Sequence, residues 1–461
     1  MSDSRGMARS KSRKAGGELV ATAVALASSQ WPQATRVCVA FSGGSDSTVL
    51  LHALAAEHAK KPDTWTLTAH HVHHGLSVNA GDWAAHCEAF CASLAVPFTM
   101  QRVMVDQHAG TGIEAAARDA RMASLDRVDA DIVVLAHHAR DQAETLLLQL
   151  LRGSGPPGMA AMAMTAHRYV RPLLSVPKAA LLDYAQLFAL RWIEDESNAD
   201  NRFSRNRLRN VVWPALIDSF PAAEATLFRA AQHQADAAQL LDDLAGMDAA
   251  VCVIDGAIHL ATFNALSDAR RANLLRFWLH AHNVKPPPAD TLREWLKQLG
   301  SVTDIQAIEL RGGAHEGVIR VYRDVAHLTQ DSPRWEPCAW AGETSLTLKC
   351  GTVIAGELSF VSSSQPHALR TPRVGERWTV RMRQEGDGVA LSERSGHVAL
   401  KNIFQQANIP TWLRGTWPLL VCNDEIATVA SIATAKAFNV SGNEPGWVCK
   451  WKPAWHRCPH S

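Results

Sequence analysis

An apolar run leads directly into a short loop of glycine and serine and then into an alanine-rich helical stretch, "VCVAFSGGSDSTVLLHALAAEH", from Val37 to His58. Glycines let the backbone approach a ligand closely, and the amides at a helix N-terminus favour an anion. A phosphate group suits both features. The alternative is an ordinary turn in which Ser45 or Asp46 caps the helix.

This loop lacks the lysine of the common phosphate-binding loop, G-x-x-x-x-G-K-[ST], because no lysine lies between Ser42 and Leu51. Backbone amides and hydroxyl groups would therefore hold the phosphates, and one carboxylate, Asp46, is left over. Mg²⁺ is typically bound by one or two carboxylates together with phosphate oxygens, so Asp46 is the predicted magnesium ligand. The predicted phosphate-binding residues are Ser42, Gly43, Gly44, Ser45, Asp46 and Ser47.

Strand-like and helix-like segments alternate after this point. The strand-like runs are "RVCVAF", "WTLTAHHV", "PFTMQRV" and "DIVVLAHH", with helical stretches near 47–60, 80–95 and 112–129. This order predicts an α/β fold, a Rossmann-like parallel sheet with helices on both faces, whose ligands bind beyond the carboxyl ends of the strands. Ser42, His73 and His137 all fall at such ends.

A chain of 461 residues is too long for one ordinary hydrophobic core and predicts several domains. We predict a catalytic domain over 31–214 and a mainly helical middle domain over 215–330, where alanine-rich segments have helical spacing. A small α+β C-terminal domain is predicted over 331–461, which contains "SLTLKCGTVI" and "RWTVRMR". Residues 1–30 are basic and lack the apolar segment of a secretory signal, so they are predicted to be a disordered arm.

The 46 basic and 45 acidic residues nearly cancel, so a nucleic-acid partner would have to contact local basic patches. Two patches stand out, one in "NRFSRNRLRN" and one around Trp378. Arginine close to aromatic rings suits phosphates and unstacked bases, whereas a solvated protein face is the alternative. The first patch holds Arg202, Arg205, Arg207 and Arg209, and the second holds Arg370, Arg373, Arg377, Arg381 and Arg383. We predict RNA contacts at Arg205, Arg209, Arg381 and Arg383, the last two on one face of a strand.

The nine cysteines form no C-x-x-C pair, and no apolar run reaches the roughly 18 residues of a membrane span. These features favour a cytoplasmic protein with reduced thiols and no membrane partner.

Four motifs, in order along the chain, resemble those of the N-type ATP pyrophosphatases, or PP-loop proteins, and within them the bacterial tRNA(Ile)-lysidine synthetases. They are "FSGGSDS", "HVHHGLS", "GIEAAARDAR" and "LAHHARDQAETLLLQLLRGSG". "RWIEDESNADNRFSRNRLR" and "ALKNIFQQANIPTWLRGTWPLLV" are similar to the end of that family's catalytic domain and to its C-terminal domain. Two residues depart from the family pattern: Ser77 replaces a usual arginine, and Arg140 stands where an acidic residue is common.

The resemblance implies an ATP-dependent ligase that modifies the wobble cytidine in the CAU anticodon of tRNA(Ile). ATP, with Mg²⁺, adenylates the C2 oxygen and releases pyrophosphate. The ε-amine of free L-lysine then attacks C2 and expels AMP, which leaves lysidine and changes the codon read from AUG to AUA. The C-terminal domain would bind the tRNA, and a homodimer is left open.

Under this resemblance Asp46, Arg118, Asp141 and Glu144 are the predicted catalytic residues, and the phosphate loop binds ATP. Arg118 and Arg121 share a helix face and would reach phosphate oxygens, with solvated side chains as the alternative. Asp141 and Glu144 also lie three residues apart and would bind the substrate lysine ammonium, with first-turn carboxylates favoured by the helix dipole as the alternative. The sequence does not select a general base among His70, His71, His73, His74, His137 and His138.

Two other classes of function are weighed against the ligase. A tRNA thiolase would want a cysteine pair near the loop, and a glutamine-dependent amidase would want an additional ammonia-producing domain; the sequence contains neither. A non-enzymatic RNA-binding protein on a degenerate nucleotide fold would have been expected to lose Asp46 or the loop glycines, which are present.

Overall fold

The structure of the protein is a computed structural model, which describes residues 2–33, 35–75, 77, 79–105, 113–301, 309–311, 317–329, 333–365, 367–391, 397–441 and 444–454. The chain forms two compact units, Met1–Leu240 and Leu241–Ser461. Nothing tests the domain boundaries predicted at 214/215 and 330/331, which stay predictions. No helix in the described ranges is long and apolar enough to cross a membrane.

The first unit has an α/β composition. Its helices are α1 Ser2–Ser28, α2 Ser45–His58, α3 Ala80–Ser93, α4 Ile113–Asp126, α5 Ala139–Leu151, α6 Pro156–Met159, α7 Lys178–Leu187, α8 Ser204–Arg207, α9 Trp213–Ser219 and the start of α10, Ala223–Cys252. Its strands are β1 Thr35–Ala40, β2 Trp65–His73, β3 Phe98–Arg102, β4 Ile132–Val134, β5 Thr165–Ala166 and β6 Tyr169–Val170. The four strands and three helices predicted from the sequence all form, with ends shifted by a few residues.

The six strands make one sheet in the order β3-β2-β1-β4-β6-β5, in which only β5 runs antiparallel to its neighbour. Neighbouring residues of β4 point to opposite faces, as a pleated strand requires. Val134 joins the core formed with α1, α2, α3 and α7, whereas Val133 packs in a second core with Leu125 of α4. Helices therefore cover both faces, and the predicted fold class is confirmed.

The strand order reverses at the centre of this sheet, because β1 pairs with β2 on one side and with β4 on the other. At such a switch point the connections leave in opposite directions and open a crevice beyond the carboxyl ends of the strands. The glycine-serine loop follows β1, and His137 and His138 follow β4. The topology therefore places these two segments side by side.

The prediction of a disordered arm over residues 1–30 is wrong, because Ser2–Ser28 forms helix α1. Val20 and Val24, one helical turn apart, are fully buried in the main core of the unit. Gly16 and Gly17 let α1 approach α7 closely, since a Cβ atom on Gly16 would come within 2.6 Å of Asp183 Cβ. The glycine pair thus permits close packing of α1 against α7.

The second unit is built from short helices and antiparallel sheets. Its helices are the end of α10, α11 Leu260–Asn264, α12 Asp268–Ala281, α13 Ala289–Gly300, α14 Leu400–Gln406 and α15 Thr411–Arg414. Its strands are β7 Val253–Ile254, β8 Ala257–His259, β9 Glu309–Arg311, β10 Val318–Tyr322, β11 Val325–Thr329, β12 Cys338–Ala339, β13 Ser345–Cys350, β14 Val353–Ser363, β15 Trp378–Arg381, β16 Gly388–Val389, β17 Val398–Ala399, β18 Leu419–Cys422, β19 Glu425–Val429, β20 Ala433–Thr434 and β21 Gly446–Pro453.

This unit contains two hydrophobic cores, one of residues between Cys252 and Ala326 and one of residues between Trp335 and Trp451. The first core packs α11, α12 and α13 with the five-stranded sheet β7-β8-β11-β10-β9. The sequence predicted the helices but not this sheet, because its strands are two to five residues long and lack clear alternation. The second core is covered by antiparallel sheets with the short helices α14 and α15, which agrees with the predicted α+β class.

Two of the five arginines around Trp378 form matching ion pairs in turns of the same design. "RTPRVGE" and "RMRQEGD" share the pattern R-x-x-x-x-G-[DE]. Arg381 Nη1 and Nη2 donate to the two oxygens of Asp387 at 2.8 and 2.9 Å, and the Gln384 amide donates to the same carboxylate at 2.7 Å. Arg370 binds Glu376 in the same way, and this hydrogen bonding lowers the pKa of Glu376 to about 2.

We predict that Arg381→Met lowers the free energy of unfolding of the second unit by roughly 1.5–3 kcal/mol, because it leaves the largely buried Asp387 without its charged donor. The matched control is Arg383→Met, whose side chain is exposed and follows the end of β15, and we expect it to change stability by less than about 0.5 kcal/mol. Thermal unfolding followed by circular dichroism measures both. Equal destabilisation by the two variants would contradict the structural role of Arg381.

Candidate active site

The loop after β1 needs a glycine at position 43. Gly43 has φ of +81°, and a Cβ atom there would meet Ile193 Cδ1 at 2.6 Å and Cys87 Sγ at 2.8 Å. Its carbonyl accepts a 2.9 Å hydrogen bond from the amide of Ile193. At Gly44 the nearest atom to an added Cβ is Ser42 Oγ at 3.6 Å, an ordinary contact. Gly43 therefore sets the path of the loop, and Gly44 keeps its surface open.

Helix α2 begins without a side-chain cap on Gly44, so the alternative in which Ser45 or Asp46 caps the helix is not what the structure shows. Ser47 Oγ lies 3.0 Å from Ser42 Oγ and donates to the Gly44 carbonyl at 3.1 Å. The hydroxyl groups thus hold the loop, while the positive end of the helix is directed at the crevice. This arrangement suits an anionic ligand.

Asp46 lies between two basic side chains. Its Oδ1 accepts a hydrogen bond from Lys178 Nζ, and its Oδ2 lies 3.3 Å from His138 Nε2. Burial alone would raise the pKa of Asp46, but the hydrogen bonds and charges of His138 and Lys178 outweigh it and hold the pKa well below its usual range. Asp46 is therefore ionised at neutral pH.

A carboxylate beside an anion-binding loop is the donor set that Mg²⁺ takes together with phosphate oxygens and water. The described residues contain no group of three or more His, Cys, Asp or Glu side chains that would hold a metal ion by themselves. The residues present thus fit a magnesium ion that is brought with a phosphate ligand.

Asp141 and Glu144, the two carboxylates predicted to share a face of α5, are brought together and buried. Glu144 is fully buried, and its oxygens accept hydrogen bonds from Arg209 Nε at 2.8 Å and Arg205 Nε at 3.1 Å. Asp141 Oδ1 accepts from Arg205 Nη2 at 2.8 Å and from Arg209 Nη2 at 2.6 Å. Two carboxylates and two guanidinium groups therefore form a closed cluster.

Asp141 is also a first-turn carboxylate of α5, as the alternative based on the helix dipole predicted. Its Oδ2 accepts a 3.1 Å hydrogen bond from the amide of His138 at the start of α5. Burial would raise the pKa of Asp141, but the charges of His138, Arg205 and Arg209 lower it on balance. The same carboxylate thus starts the helix and belongs to the cluster.

His138 links the two acidic groups. Its Nε2 lies 3.4 Å from Asp141 Oδ2 as well as 3.3 Å from Asp46 Oδ2, and its side chain is 2% exposed. By contrast, His70 and His71 have protein hydrogen-bond partners away from this cluster, and burial lowers the pKa of both. Of the six candidate histidines, His138 is the one for which the structure describes contacts with both Asp46 and Asp141.

The two predicted phosphate-binding arginines lie on α4 within an electropositive group. Burial, followed by the charges of Arg118 and Arg205, lowers the pKa of Arg121. Burial and the charge of Arg118 likewise lower the pKa of Arg171, which the sequence analysis did not select. Like charges held this close favour an anionic ligand.

The sequence analysis also did not select Lys178 and Glu224, which both contact the site. Lys178 is the first residue of α7, in "SVPKAALL", where a cation is disfavoured by the helix dipole, and this was the only signal in the sequence. Glu224 accepts from the Lys178 amide at 3.0 Å and from Arg140 Nε at 3.2 Å. Arg140, one of the two departures from the family pattern, thus pairs with Glu224 and also stacks over Trp213, 5.3 Å from the ring centre. The other departure, Ser77, accepts a hydrogen bond from the Asn79 amide before α3.

The arginines predicted to contact RNA have different surroundings. Arg205 and Arg209 bind the carboxylates of the site, and Arg381 binds Asp387. Arg383 is exposed, but it lies beyond the end of β15 at Arg381, so the two do not share one strand face as predicted. RNA contact by these four residues stays a prediction, and only Arg383 is exposed and outside the ion pairs described here.

Three family models match the chain: a PP-loop domain at residues 19–216, a TilS substrate binding domain at 259–327 and a TilS substrate C-terminal domain at 378–451. A tRNA(Ile)-lysidine synthase of Nitrosomonas europaea is 35% identical over 91% of this chain and 92% of its own length. One of Alkalilimnicola ehrlichii is 38% identical over 90% and 94%. A solved U34-tRNA thiolase from Methanococcus maripaludis, with its [4Fe-4S] cluster, aligns with 48% of this chain and 78% of its own at 17% identity and a TM-score of 0.41.

We predict that Gly43→Ala destabilises the first unit by roughly 1–3 kcal/mol and abolishes nucleotide binding, because the added methyl group overlaps Ile193 and Cys87 at a left-handed backbone position. Gly44→Ala is the matched control, and we expect it to fold normally. Urea unfolding and calorimetric nucleotide binding measure the two effects. Normal stability of Gly43→Ala would show that the loop follows another path.

We also predict that the site opens on acidification partly through His137. Burial is the main cause that lowers the pKa of His137 to about 3, and its Nδ1 accepts from Arg171 Nε at 3.3 Å. Between about pH 6.5 and 3 the unfolded state binds a proton that the folded state does not, so this residue lowers stability by at most about 1.4 kcal/mol per pH unit as the pH falls.

His137→Gln, which keeps an acceptor for Arg171, should therefore flatten the acid loss of hydrogen-exchange protection in α5 peptides. The exposed His233→Gln serves as the control in the same unit. If both variants lose hydrogen-exchange protection with the same pH dependence as the wild type, the inference that His137 is neutral in the folded protein is wrong.

Proposed function

Because the chain belongs to the tRNA(Ile)-lysidine synthase family, we propose that it uses ATP to join free L-lysine to C2 of the wobble cytidine in the CAU anticodon of tRNA(Ile). The chain is an ATP-dependent ligase with a PP-loop domain. In the proposed sequence the cytidine is adenylated with release of pyrophosphate, and lysine then displaces AMP. The product reads AUA in place of AUG.

The observation that carries this proposal is the position of His138 between Asp46 of the phosphate loop and Asp141 of the carboxylate pair, at 3.3 and 3.4 Å. The first half-reaction adenylates the C2 oxygen of the cytidine, and the second attacks the C2 carbon that bears this oxygen. The ATP α-phosphate and the lysine amine must therefore reach that base from neighbouring sites. The crevice between β1 and β4 offers an anion site and an acidic site in direct contact.

For the adenylation step, the amides of α2 and the hydroxyl groups of the loop bind and orient the triphosphate. Asp46 would hold Mg²⁺, which, when bound, neutralises charge on the phosphates. Arg118 lies on α4 with Arg121, and both would meet the negative charge that develops as pyrophosphate leaves. In phosphoryl transfer, catalysis consists almost entirely of positioning and charge stabilisation, and we expect the same of this nucleotidyl transfer.

For the second step, Asp141 and Glu144 would bind the substrate ammonium, but their charges are already balanced by Arg205 and Arg209. A free lysine carries both an ammonium and a carboxylate, so it suits a cluster of alternating charges. The side chain of Arg209 is 38% exposed, against 23% for Arg205. Displacement of Arg209 would therefore open Glu144 to the ammonium.

For the tRNA, the substrate-binding models fall on residues 259–327 and 378–451 of the second unit. The proposed phosphate contacts are exposed arginines of the second unit: Arg383, within the second range, and Arg373 and Arg377, just before it. A cytoplasmic location is proposed, because the proposed substrates tRNA, ATP and lysine are available there. The homodimer stays a prediction, which light scattering of the purified chain tests.

Thiolation is the main competing chemistry within the PP-loop fold. Cys87 is the cysteine beside the loop, and burial raises its pKa and that of Cys91 to about 12. At neutral pH both are protonated and poor nucleophiles. This observation supports the ligase over a thiolase.

The decisive experiment incubates the purified chain with ATP, Mg²⁺, L-lysine and the tRNA(Ile) transcript that carries the CAU anticodon. Nucleoside mass spectrometry of digested tRNA should show lysidine only when ATP and lysine are both present, with one AMP and one pyrophosphate per lysidine. An elongator tRNA(Met) transcript, which shares the CAU anticodon, is the control substrate. A sulfur-containing cytidine, or no product under any condition, would overturn the proposal.

We predict that Asp141→Asn and Glu144→Gln raise the KM for lysine about tenfold to a hundredfold, because each removes one charge-assisted hydrogen bond to an ammonium. The apparent KM for ATP should change much less. Steady-state kinetics at saturating tRNA separates the two constants, and circular dichroism confirms folding. An unchanged KM for lysine in both variants would refute the assignment.

A further inference from the structure

The phosphate loop lacks a lysine in its own sequence, yet the fold brings one to it. We propose that Lys178, from the start of α7, binds the phosphates of ATP and supplies the cation that other phosphate loops carry within their own segment. This rests on the proposed function only in taking ATP as the nucleotide.

The ammonium group of Lys178 is already at the first turn of α2. Its Nζ donates to Ser45 Oγ at 3.1 Å and to Asp46 Oδ1, and the side chain is only 17% exposed. An ammonium has three N–H donors, and these two contacts leave one without an acceptor among the described residues. That donor is available to a phosphate oxygen held at the start of α2.

The backbone of Lys178 is fixed as well. Glu224 Oε1 accepts from its amide at 3.0 Å, and Glu224 Oε2 is bound by Arg140 Nε at 3.2 Å. These contacts tie the N-terminus of α7 to α5 and α10. The lysine is therefore preorganised, and little conformational freedom is lost when it meets a ligand.

The electrostatics also favour an anion here. Lys178 in the first turn of α7 contacts Ser45 and Asp46 in the first turn of α2, and a lysine in the first turn of a helix is disfavoured by the dipole. Asp46 offsets this charge within the protein. A triphosphate would offset the positive charge of Lys178 more fully. The ammonium would then face the negative charge that develops on the departing pyrophosphate.

A purely structural alternative exists, in which Lys178 serves only as the counter-ion of Asp46. The two hypotheses differ in the predicted effect of Lys178 on nucleotide binding. A phosphate contact strengthens binding of ATP and leaves binding of adenosine unaffected. A counter-ion stabilises the fold and has no phosphate-dependent effect.

The test uses the full-length chain and calorimetric binding of α,β-methylene-ATP, which is not cleaved, and of adenosine. Lys178→Met should weaken binding of the ATP analogue about tenfold to a hundredfold and leave adenosine binding within twofold. Lys178→Arg should keep most of the affinity. Lys60→Met, at a side chain that is 64% exposed on the same unit, is the matched control and should bind like the wild type.

A double variant keeps the test decisive if Lys178→Met unfolds because Asp46 loses its partner. Adding Lys178→Met to Asp46→Asn removes both charges. The proposal expects the double variant to bind the ATP analogue at least about fivefold more weakly than Asp46→Asn alone, whereas the counter-ion alternative expects no further loss. Equal affinity of these two, or unchanged affinity of folded Lys178→Met, would overturn the proposal. The lysidine assay, run on the wild type, reports separately on the proposed function.

Discussion

The burial of carboxylates at the carboxyl ends of two central strands is the constraint on which the catalytic unit depends. A buried carboxylate is unfavourable unless cations and hydrogen-bond donors surround it. Asp46, Asp141 and Glu144 are met by Lys178, Arg205 and Arg209, so three acidic groups face three basic ones. Lys178 lies 132 positions from Asp46, and Arg205 lies 64 positions from Asp141. The ion pairs therefore hold α7 against α2 and the segment with α8 against α5.

This charge balance also suits the proposed chemistry. In the proposed scheme, phosphate oxygens take the remaining N–H donor of Lys178, and the substrate ammonium replaces a guanidinium group at Glu144. Because one cation is exchanged for another at Glu144, that buried carboxylate is not left without a charged partner during turnover. His138, between Asp46 and Asp141, keeps the two sites in contact.

The second unit shows why an arginine-rich sequence does not by itself identify an RNA surface. Arg370 and Arg381 occupy equivalent places in two turns of the same pattern, and each binds the acidic residue that follows a glycine with positive φ, Gly375 or Gly386. Their charges are paired with carboxylates of the same fold. Arg383 is separated from Arg381 by a single residue and is exposed. The distinction depends on a carboxylate six positions away that only the turn brings back.

The sequence by itself determined the alternation of strands and helices, the phosphate loop with its glycines, and the carboxylate pair on α5. These features are local: hydrophobic periodicity, glycine conformation and a three-residue helical spacing express them without distant contacts. The tertiary structure alone decided that Lys178 completes the loop, that Arg205 and Arg209 face Asp141 and Glu144, and that Ser2–Ser28 is a packed helix. A lysine or arginine has the same local pattern whether it is solvated, paired or poised for a ligand, and its role depends on which distant charge the fold places beside it.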